Sequence, residues 1–513
     1  MAKQLTDIDI LAALERHGSQ RKACKAIGMP RTTFQERVHA ALKTAYTTKR
    51  MADSVQIEAT GETQYFILSS AQDGSQVHEG FMENLEAFAE HLGATIYVAG
   101  YTYNKGLFED HSKYRASYDP AVRDYLCNTR LEIGDGLLFC GEMNTLPTAV
   151  SPLTGFETYT QSKWGIFPHA KVQLVSVPTM KHEPAKMIMT TGTVTLPNYV
   201  QKRAGIRAEF HHVVGAVLVE LDPEGRFFCR HLIAEEDGSF YDLTVRVEEG
   251  QITHGHNVQA VVWGDIHHEK LDPTVAAACF EKGGMLDWLC PEHQFLHDLS
   301  DFSPRNHHNI GDHHFRFAAM SSGNDNVESA ITECGEFLSD IQRDWCQSVV
   351  VESNHDLALL KWLKTADYRN DPENAIFFLE AQARIYRAIA GNEDISIFKW
   401  ALDRTGEEFY DTIFLREDDS YMLQDIEFGM HGHLGANGAR PSPKQFTKAG
   451  PKACTGHTHS AGIIDGIYTA GVSSKLDLGY NKGLSSWSHT HIIVYQNGKR
   501  ALVTMQDGLW CAK

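Results

Sequence analysis

No apolar run in the sequence is long enough to cross a bilayer, and the first residues, Met1 to Asp7, lack the apolar core of a secretion signal. Membrane-spanning and exported classes are set aside, and a cytoplasmic protein is expected. The 10 cysteines include no Cys-x-x-Cys pair, which excludes a zinc ribbon or a dithiol redox motif and leaves reduced thiols as the simplest reading. There is no Walker-type loop and no Gly-x-Gly-x-x-Gly loop, so no nucleotide cofactor is expected. Neither a low-complexity tract nor an internal repeat is visible. Positive charge is scarce: 47 Lys/Arg stand against 66 Asp/Glu, a net of −19. Residues 1–50 run against that trend with ten Lys/Arg and four Asp/Glu, so the remainder carries −25. An acidic body offers nucleic acid no broad footprint; the basic N-terminus and bound cations would do much of the holding.

What is there is an ordinary globular composition, 42% hydrophobic and 22% charged, over 513 residues, enough for two to four domains. Residues 1–48 read as a helix-turn-helix. Ile8, Leu11 and Leu14 repeat at helical spacing behind Thr6 as N-cap, and a second helix through Arg21–Ile27 buries Ala23 and Ile27. Gly28-Met-Pro30 makes the turn, and a third helix from Arg31 to about Leu42 turns Phe34, Val38 and Leu42 inward. Arg31 and Arg37 on its outer face suit phosphates and base edges, so DNA contact is favoured over a helical docking domain for self-association.

After a polar linker at 46–54, Tyr65–Ser70, an amphipathic helix around Glu79–His91 and Ala94–Ala99 form a β-α-β unit. Strands follow at Gly136–Cys140, Lys171–Val177, Met187–Thr191, Val213–Leu221 and Arg226–Leu232, with Asp222-Pro-Glu-Gly225 as a hairpin turn. Residues 58–250 are expected to be one separate α/β domain. Its His169, His211, His212 and His231 read as hydrogen-bonded core or surface residues rather than ligands.

The chemistry concentrates further on, in Asp265-Ile-His267, Asp298, Asn354-His355-Asp356, His431-Gly-His433 and His457-Thr-His459. Two divalent metals need about six or seven O/N ligands and at least one bridging carboxylate, and these clusters supply them. Several follow apolar runs: Val258–Trp263, Phe295-Leu296 and Val349–Val351. Polar residues just past the carboxyl ends of such strands converge in open α/β sheets. Helices are expected at Asp371–Ala390 and Ile395–Arg404, and strands at Ile463–Ala470, His491–Gln496 and Arg500–Met505, the last two joined at Asn497-Gly498.

In order and spacing, these clusters resemble the calcineurin-like metallophosphoesterase superfamily, whose pattern is D-x-H, G-D, G-N-H-D/E, H and G-H-x-H. The resemblance covers residues 258–470 and implies a two-sheet α/β sandwich within a domain at 255–513. It implies that Asp265, His267 and His459 hold one metal, that Asn354, His431 and His457 hold the other, and that Asp298 bridges them. His355 would act on the leaving oxygen with Asp356 orienting it, while hydroxide activated by the two metals attacks phosphorus. His297 and Ser353 stand where the pattern has Gly, and Gly311-Asp312 is a rival second motif that lacks a preceding apolar pair. Arg305 and His308, in the histidine-rich stretch after Asp298, are the expected substrate contacts, and His489-Thr-His491 reads as structural or at the cleft rim.

Joined to a helix-turn-helix, such a domain is expected to be a DNA nuclease, similar to double-strand-break repair and phage-encoded DNA-degrading nucleases, assembled from several copies. Manganese is the expected metal, with iron, zinc and magnesium as alternatives. The rival expectations are a phosphomonoesterase or small-molecule phosphodiesterase whose helices serve assembly, and a DNA-binding regulator with an inert phosphoesterase domain.

Overall fold

The computed structural model describes residues 10, 13–14, 16–17, 20–35, 37–38, 54–104, 116–306, 308–409 and 411–512. Thr6, Ile8, Leu11, Leu42, most of the linker at 46–54 and His307 lie outside them. In the N-terminal segment, helix α1 (Gln20–Ala26) ends at Gly28, whose φ of 69° makes the turn, and 31–35 and 37–38 are again helical. Ile10, Ala13, Ala23, Cys24, Phe34 and Val38 close a small core of their own; Ala23, Phe34 and Val38 face inward as expected, Leu14 and Ile27 are only half-buried against it, and Ile10, Ala13 and Cys24 join them. Arg31 is exposed and Arg37 half-buried.

The body begins with β1 (Gln64–Gln72), α2 (Glu79–Leu92) and β2 (Thr95–Tyr101), the expected β-α-β unit with its strands parallel. It continues through β3 (Arg130–Ile133), β4 (Leu137–Cys140), β5 (Trp164–Phe167), β6 (Leu174–Val177), β7 (Lys186–Thr190), β8 (Gly215–Leu221) and β9 (Phe227–Ile233). The second half contains β10 (Ala260–Val262), β11 (His293–His297), β12 (Gln347–Val351), β13 (Ile413–Leu415), β14 (Met422–Leu423) and β15 (Ile426–Glu427). It ends with β16 (Lys452–Thr455), β17 (Gly462–Ile464), β18 (Ile467–Thr469), β19 (Thr490–Val494) and β20 (Arg500–Thr504).

These strands correct two expectations. Residues 58–250 are not a separate domain: β6 pairs antiparallel with β17, so one eleven-stranded sheet runs through both halves. Its order is 55–57, β3-β4-β5-β7-β6, then β17-β18-β16-β15-β14. The second correction concerns repeats. Read outward from the β6–β17 seam, the two sides of the sheet have the same order and the same strand senses: antiparallel β6/β7 and β17/β18, parallel β5/β7 and β16/β18, parallel β4/β5 and β15/β16, antiparallel β3/β4 and β14/β15. The four-stranded sheet β9-β8-β1-β2 likewise matches β20-β19-β10-β11 of a six-stranded sheet that continues through β12 and β13. The chain is an internal duplication about a pseudo-two-fold through the seam. Local sequence keeps one trace of it, Ile188-Met-Thr190-Thr-Gly192 against Ile467-Tyr-Thr469-Ala-Gly471.

Alternation along the strands builds the layers. Ala260, Val262, Phe295, Val349 and Val351 face Ile426, Phe428, Cys454 and Tyr468 of the long sheet, and the same core passes into the first half through Phe66, Leu68, Val217 and Val219. Val261, Trp263, Leu296 and Val350 point the other way, under α3 (Val327–Asp340), α4 (Ala358–Thr365), α5 (Ala375–Ala390) and α6 (Ile397–Asp403). With both faces covered, these strands read as continuous apolar runs rather than alternating ones. No helix among the described residues is long and apolar enough to cross a membrane.

Candidate metal centre

β10 stops at Val262, and the loop that carries Asp265 and His267 follows at once. His491, buried in β19, accepts the Gly264 N–H at 3.0 Å. A Cβ on Gly264 would lie 2.8 Å from the Val472 backbone, so glycine lets the loop pass against the neighbouring segment. Four site residues, His267, Asp298, His457 and His459, hold left-handed backbone at φ of 45°, 45°, 71° and 56°. Non-glycine residues adopt that region at a cost, and the main chain supports it here: His267 N donates to Asp298 O at 2.7 Å, and His457 N to Asp265 Oδ2 at 2.7 Å. Gly456 has its own reason. A Cβ there would meet Asp265 Oδ1 at 2.1 Å.

These loops bring the sequence-expected ligands together in two overlapping groups. Ligand atoms of Asp265, His267, Asp298 and His459 all lie within 4.8 Å of one another, and all four residues are buried. His267 Nε2 is 3.0 Å from His459 Nε2 and 3.4 Å from Asp298 Oδ2, and His459 Nε2 is 3.2 Å from Asp265 Oδ2. Beside them, His431 Nε2 stands 3.4 Å from Asp298 Oδ2 and 3.2 Å from Asn354 Oδ1, with the His457 ring 5.2 Å from that of His431. Asp298 is the residue common to both groups.

The donor set fits divalent cations. Two imidazole nitrogens face each other among carboxylates at the floor of a cleft, and Asp265 Oδ1 and Asp298 Oδ1 are buried without a hydrogen-bond partner. Such groups are costly unless a proton or a cation sits among them. Burial alone would raise the Asp298 carboxyl, but His431, His267 and His355 hold it well below the usual carboxylate range. Burial would likewise lower His459, which Asp265 and Asp298 instead raise to about 9; His431, where burial dominates, falls to about 3.

The two departures from glycine have structural work. His297 is buried with its Nδ1 3.3 Å from His431 Nδ1, a contact that sets the His431 ring and leaves its Nε2 toward Asp298. Ser353 donates from Oγ to Asp356 Oδ2 at 2.7 Å. That bond corrects the expectation that Asp356 orients His355. Asp356 turns instead to Ser353 and to the Ser300 N–H, clamping two loops, and burial beside the Asp298 charge raises it to about 8. Asp301 is the carboxylate on His355: His355 Nδ1 lies 3.1 Å from Asp301 O and 3.4 Å from Asp301 Oδ1. Asp301 Oδ1 is also 3.4 Å from His267 Nδ1, and His267, Asp301 and His355 form a second buried group able to hold a cation. Its place in Asp298-Leu-Ser-Asp301, three residues past Asp298, was the available signal.

Arg305 is the other correction. It is 2% exposed and its guanidinium is taken up by two carboxylates, with Nη2 2.7 Å from Asp371 Oδ1 and 3.0 Å from Asp325 Oδ2. It ties the loop after Asp298 to the segments leading into α3 and α5 and does not reach the cleft. Replacing Arg305 by Ala strands two buried carboxylates and is expected to destabilise the protein by about 3–5 kcal/mol, read as a lower urea midpoint. A substrate contact would instead raise KM at unchanged stability. His308 does line the cleft. Asp312 of the rival motif caps the helix His313–Ser322, accepting from His314 N and Phe315 N.

The equivalent place in the first half cannot hold the same ions. Val194 N bonds Ser70 O as Ser473 N bonds Asp265 O, and Thr191 N bonds Phe167 O as Ala470 N bonds Thr455 O. These contacts put Ser70 where Asp265 stands, Gln72 where His267 stands, and His169 and Lys171 where His457 and His459 stand. A hydroxyl, an amide and an ammonium stand in place of three of the candidate donors. Lys171 pairs with Asp465 in the β17–β18 turn, and His169 Nε2 bonds Leu146 O. His212 and His231 bond backbone oxygens of Thr195 and Thr190. Burial lowers His169, His212 and His231 to about 4, as neutral interior rings rather than ligands.

Fold and site together define a layered α/β protein with buried carboxylate–imidazole groups able to hold metal ions, at the strand ends of its second half. No family model matches the chain. It is 42% identical over 460 residues to Protein A1 of Escherichia phage T5, covering 87% of this chain and 83% of that protein. The chain belongs to the family of that phage protein.

Proposed function

We propose that this protein is a metal-dependent phosphodiesterase acting on DNA, phage-encoded like its relative and working in the host cytoplasm. The observation that carries the reading is the convergence of Asp265, His267, Asp298, Asn354, His431, His457 and His459 around one shared aspartate. Two divalent ions there, manganese by the mixed carboxylate, amide and imidazole donors, would supply Lewis-acid activation of a phosphoester and of the water that attacks it. The chain's own residues do the rest. Asp265, His267 and His459 would hold one ion, Asn354, His431 and His457 the other, and Asp298 both. His297 and Gly264 hold their neighbours in place. His355, steered by Asp301, is the group able to deliver a proton to the leaving oxygen at the cleft wall. The shape of the N-terminal helices and exposed Arg31 support DNA recruitment, which an acidic body otherwise disfavours.

The test is incubation of the purified chain with manganese and either linear and supercoiled DNA or bis-p-nitrophenyl phosphate. Cleavage of DNA that chelation abolishes is the expected result. Hydrolysis of the small diester without DNA cleavage would favour a small-molecule phosphodiesterase. DNA bound and nothing hydrolysed would favour a regulator.

A further inference from the structure

The cleft over the cluster has a volume of about 770 Å³, and one of its walls is aromatic. Trp487 meets the His459 ring edge-on at 4.2 Å, Tyr480 stacks on His308 at 4.2 Å with rings 9° apart, and Trp487 and Tyr480 are 6.2 Å from each other. Both are half-buried, leaving ring surface to the cleft they line. The cleft is also lined by Lys361, from α4, and Arg440, both exposed and neither in an ion pair among the described residues.

Trp487 touches the cluster only at the His459 ring and Tyr480 does not touch its donor atoms, yet the fold braces the whole wall. The segment carrying Tyr480 and Trp487 joins β18 to β19. The β6–β7 hairpin of the first half reaches across to it, with Thr179 and Ser485 exchanging two backbone hydrogen bonds of 2.9 Å and Lys181 Nζ 2.7 Å from Asp477 Oδ1. The half without ligands thereby has a place in the working of the other: it holds the wall.

We infer that Trp487 and Tyr480 form a nucleobase subsite, which stacks an unpaired base next to the scissile phosphate while Lys361 and Arg440 take flanking phosphates. The inference rests on the nuclease reading above. Size and chemistry both favour it. A cleft of this volume is that of a small-ligand site and admits a nucleotide or two, not a duplex. Aromatic side chains bind bases through their faces, which are covered inside a helix and open only when the base is unstacked. The substrate class is then single-stranded or frayed DNA ends, with little dependence on base identity.

The experiment compares a single-stranded oligonucleotide with one carrying an abasic residue beside the scissile phosphate, in the wild-type protein and in Trp487→Ala, Tyr480→Ala and Trp487→Phe. In the wild type, removing the base is expected to lower kcat/KM by about 5- to 150-fold, the range of one base–aromatic stack. In Trp487→Ala and Tyr480→Ala the intact oligonucleotide should be slowed and the abasic penalty should shrink toward one, while Trp487→Phe retains most of it. An abasic penalty that survives undiminished in both alanine variants overturns this inference alone. A wild-type protein that cleaves no DNA overturns it together with the nuclease reading.

Discussion

Replacing Asp298 by Ala is expected to remove most bound metal and to lower hydrolysis of any phosphodiester by roughly 10³-fold or more, the effect of losing several kcal/mol of charge stabilisation. The reason is position. Asp298 Oδ2 is within 3.4 Å of both His267 Nε2 and His431 Nε2, so it is the one carboxylate shared by the two ligand groups. Its backbone is held independently, through its carbonyl and the His267 N–H, and the substitution should leave the loop in place. Metal content and the circular-dichroism melt of the variant check this together. Full metal occupancy with lost activity would mean that Asp298 acts on substrate rather than on the ions.

His355→Ala is expected to behave differently, keeping its metal and losing about 10²- to 10⁴-fold in kcat, the range for a general acid. His355 is buried, which would lower its pKa, but Asp298 and Asp301 outweigh burial and raise it, and Asp301 on the Nδ1 edge remains the partner of a protonated ring once cations take up the Asp298 charge. Asp301→Asn should share part of the kcat loss, because Asp301 holds the Nδ1 edge of the ring. Asp356→Asn should instead show in stability, since Asp356 bonds Ser353 and Ser300. Equal kcat losses in the two aspartate variants would contradict the assignment of Asp301 as the positioning carboxylate.

The comparison of these two aspartates shows what the sequence could and could not carry. The cluster was legible because polar side chains at strand ends converge, and Asp265, Asp298, Asn354 and His431 stand just beyond β10, β11, β12 and β15. Orientation was not. Asp301 and Asp356 are equally polar and equally near the motifs, and only loop geometry decides which one meets His355. Arg305 failed for a related reason: a cation beside a metal motif suits a phosphate, and its partners Asp325 and Asp371 are 20 and 66 residues away. The strands expected from sequence are present, but Ile463–Ala470 is two strands around Asp465-Gly466, an Asp-Gly turn signal present in the chain, and Arg130–Ile133, Trp164–Phe167, Ile413–Leu415 and Lys452–Thr455 are strands the sequence pattern did not announce. The duplication escaped because a sheet constrains only apolar alternation. Once Ser70, Gln72 and Lys171 replaced the ligands, the two halves shared shape and little wording.

The most direct test of the central claim is electron paramagnetic resonance of the protein loaded with manganese to saturation, with the metal counted per chain. The account predicts two ions per chain, not four, giving the signal of an exchange-coupled manganese pair that disappears in Asp298→Ala. A single bound ion, or only the six-line spectrum of isolated manganese in the wild-type protein, would contradict it.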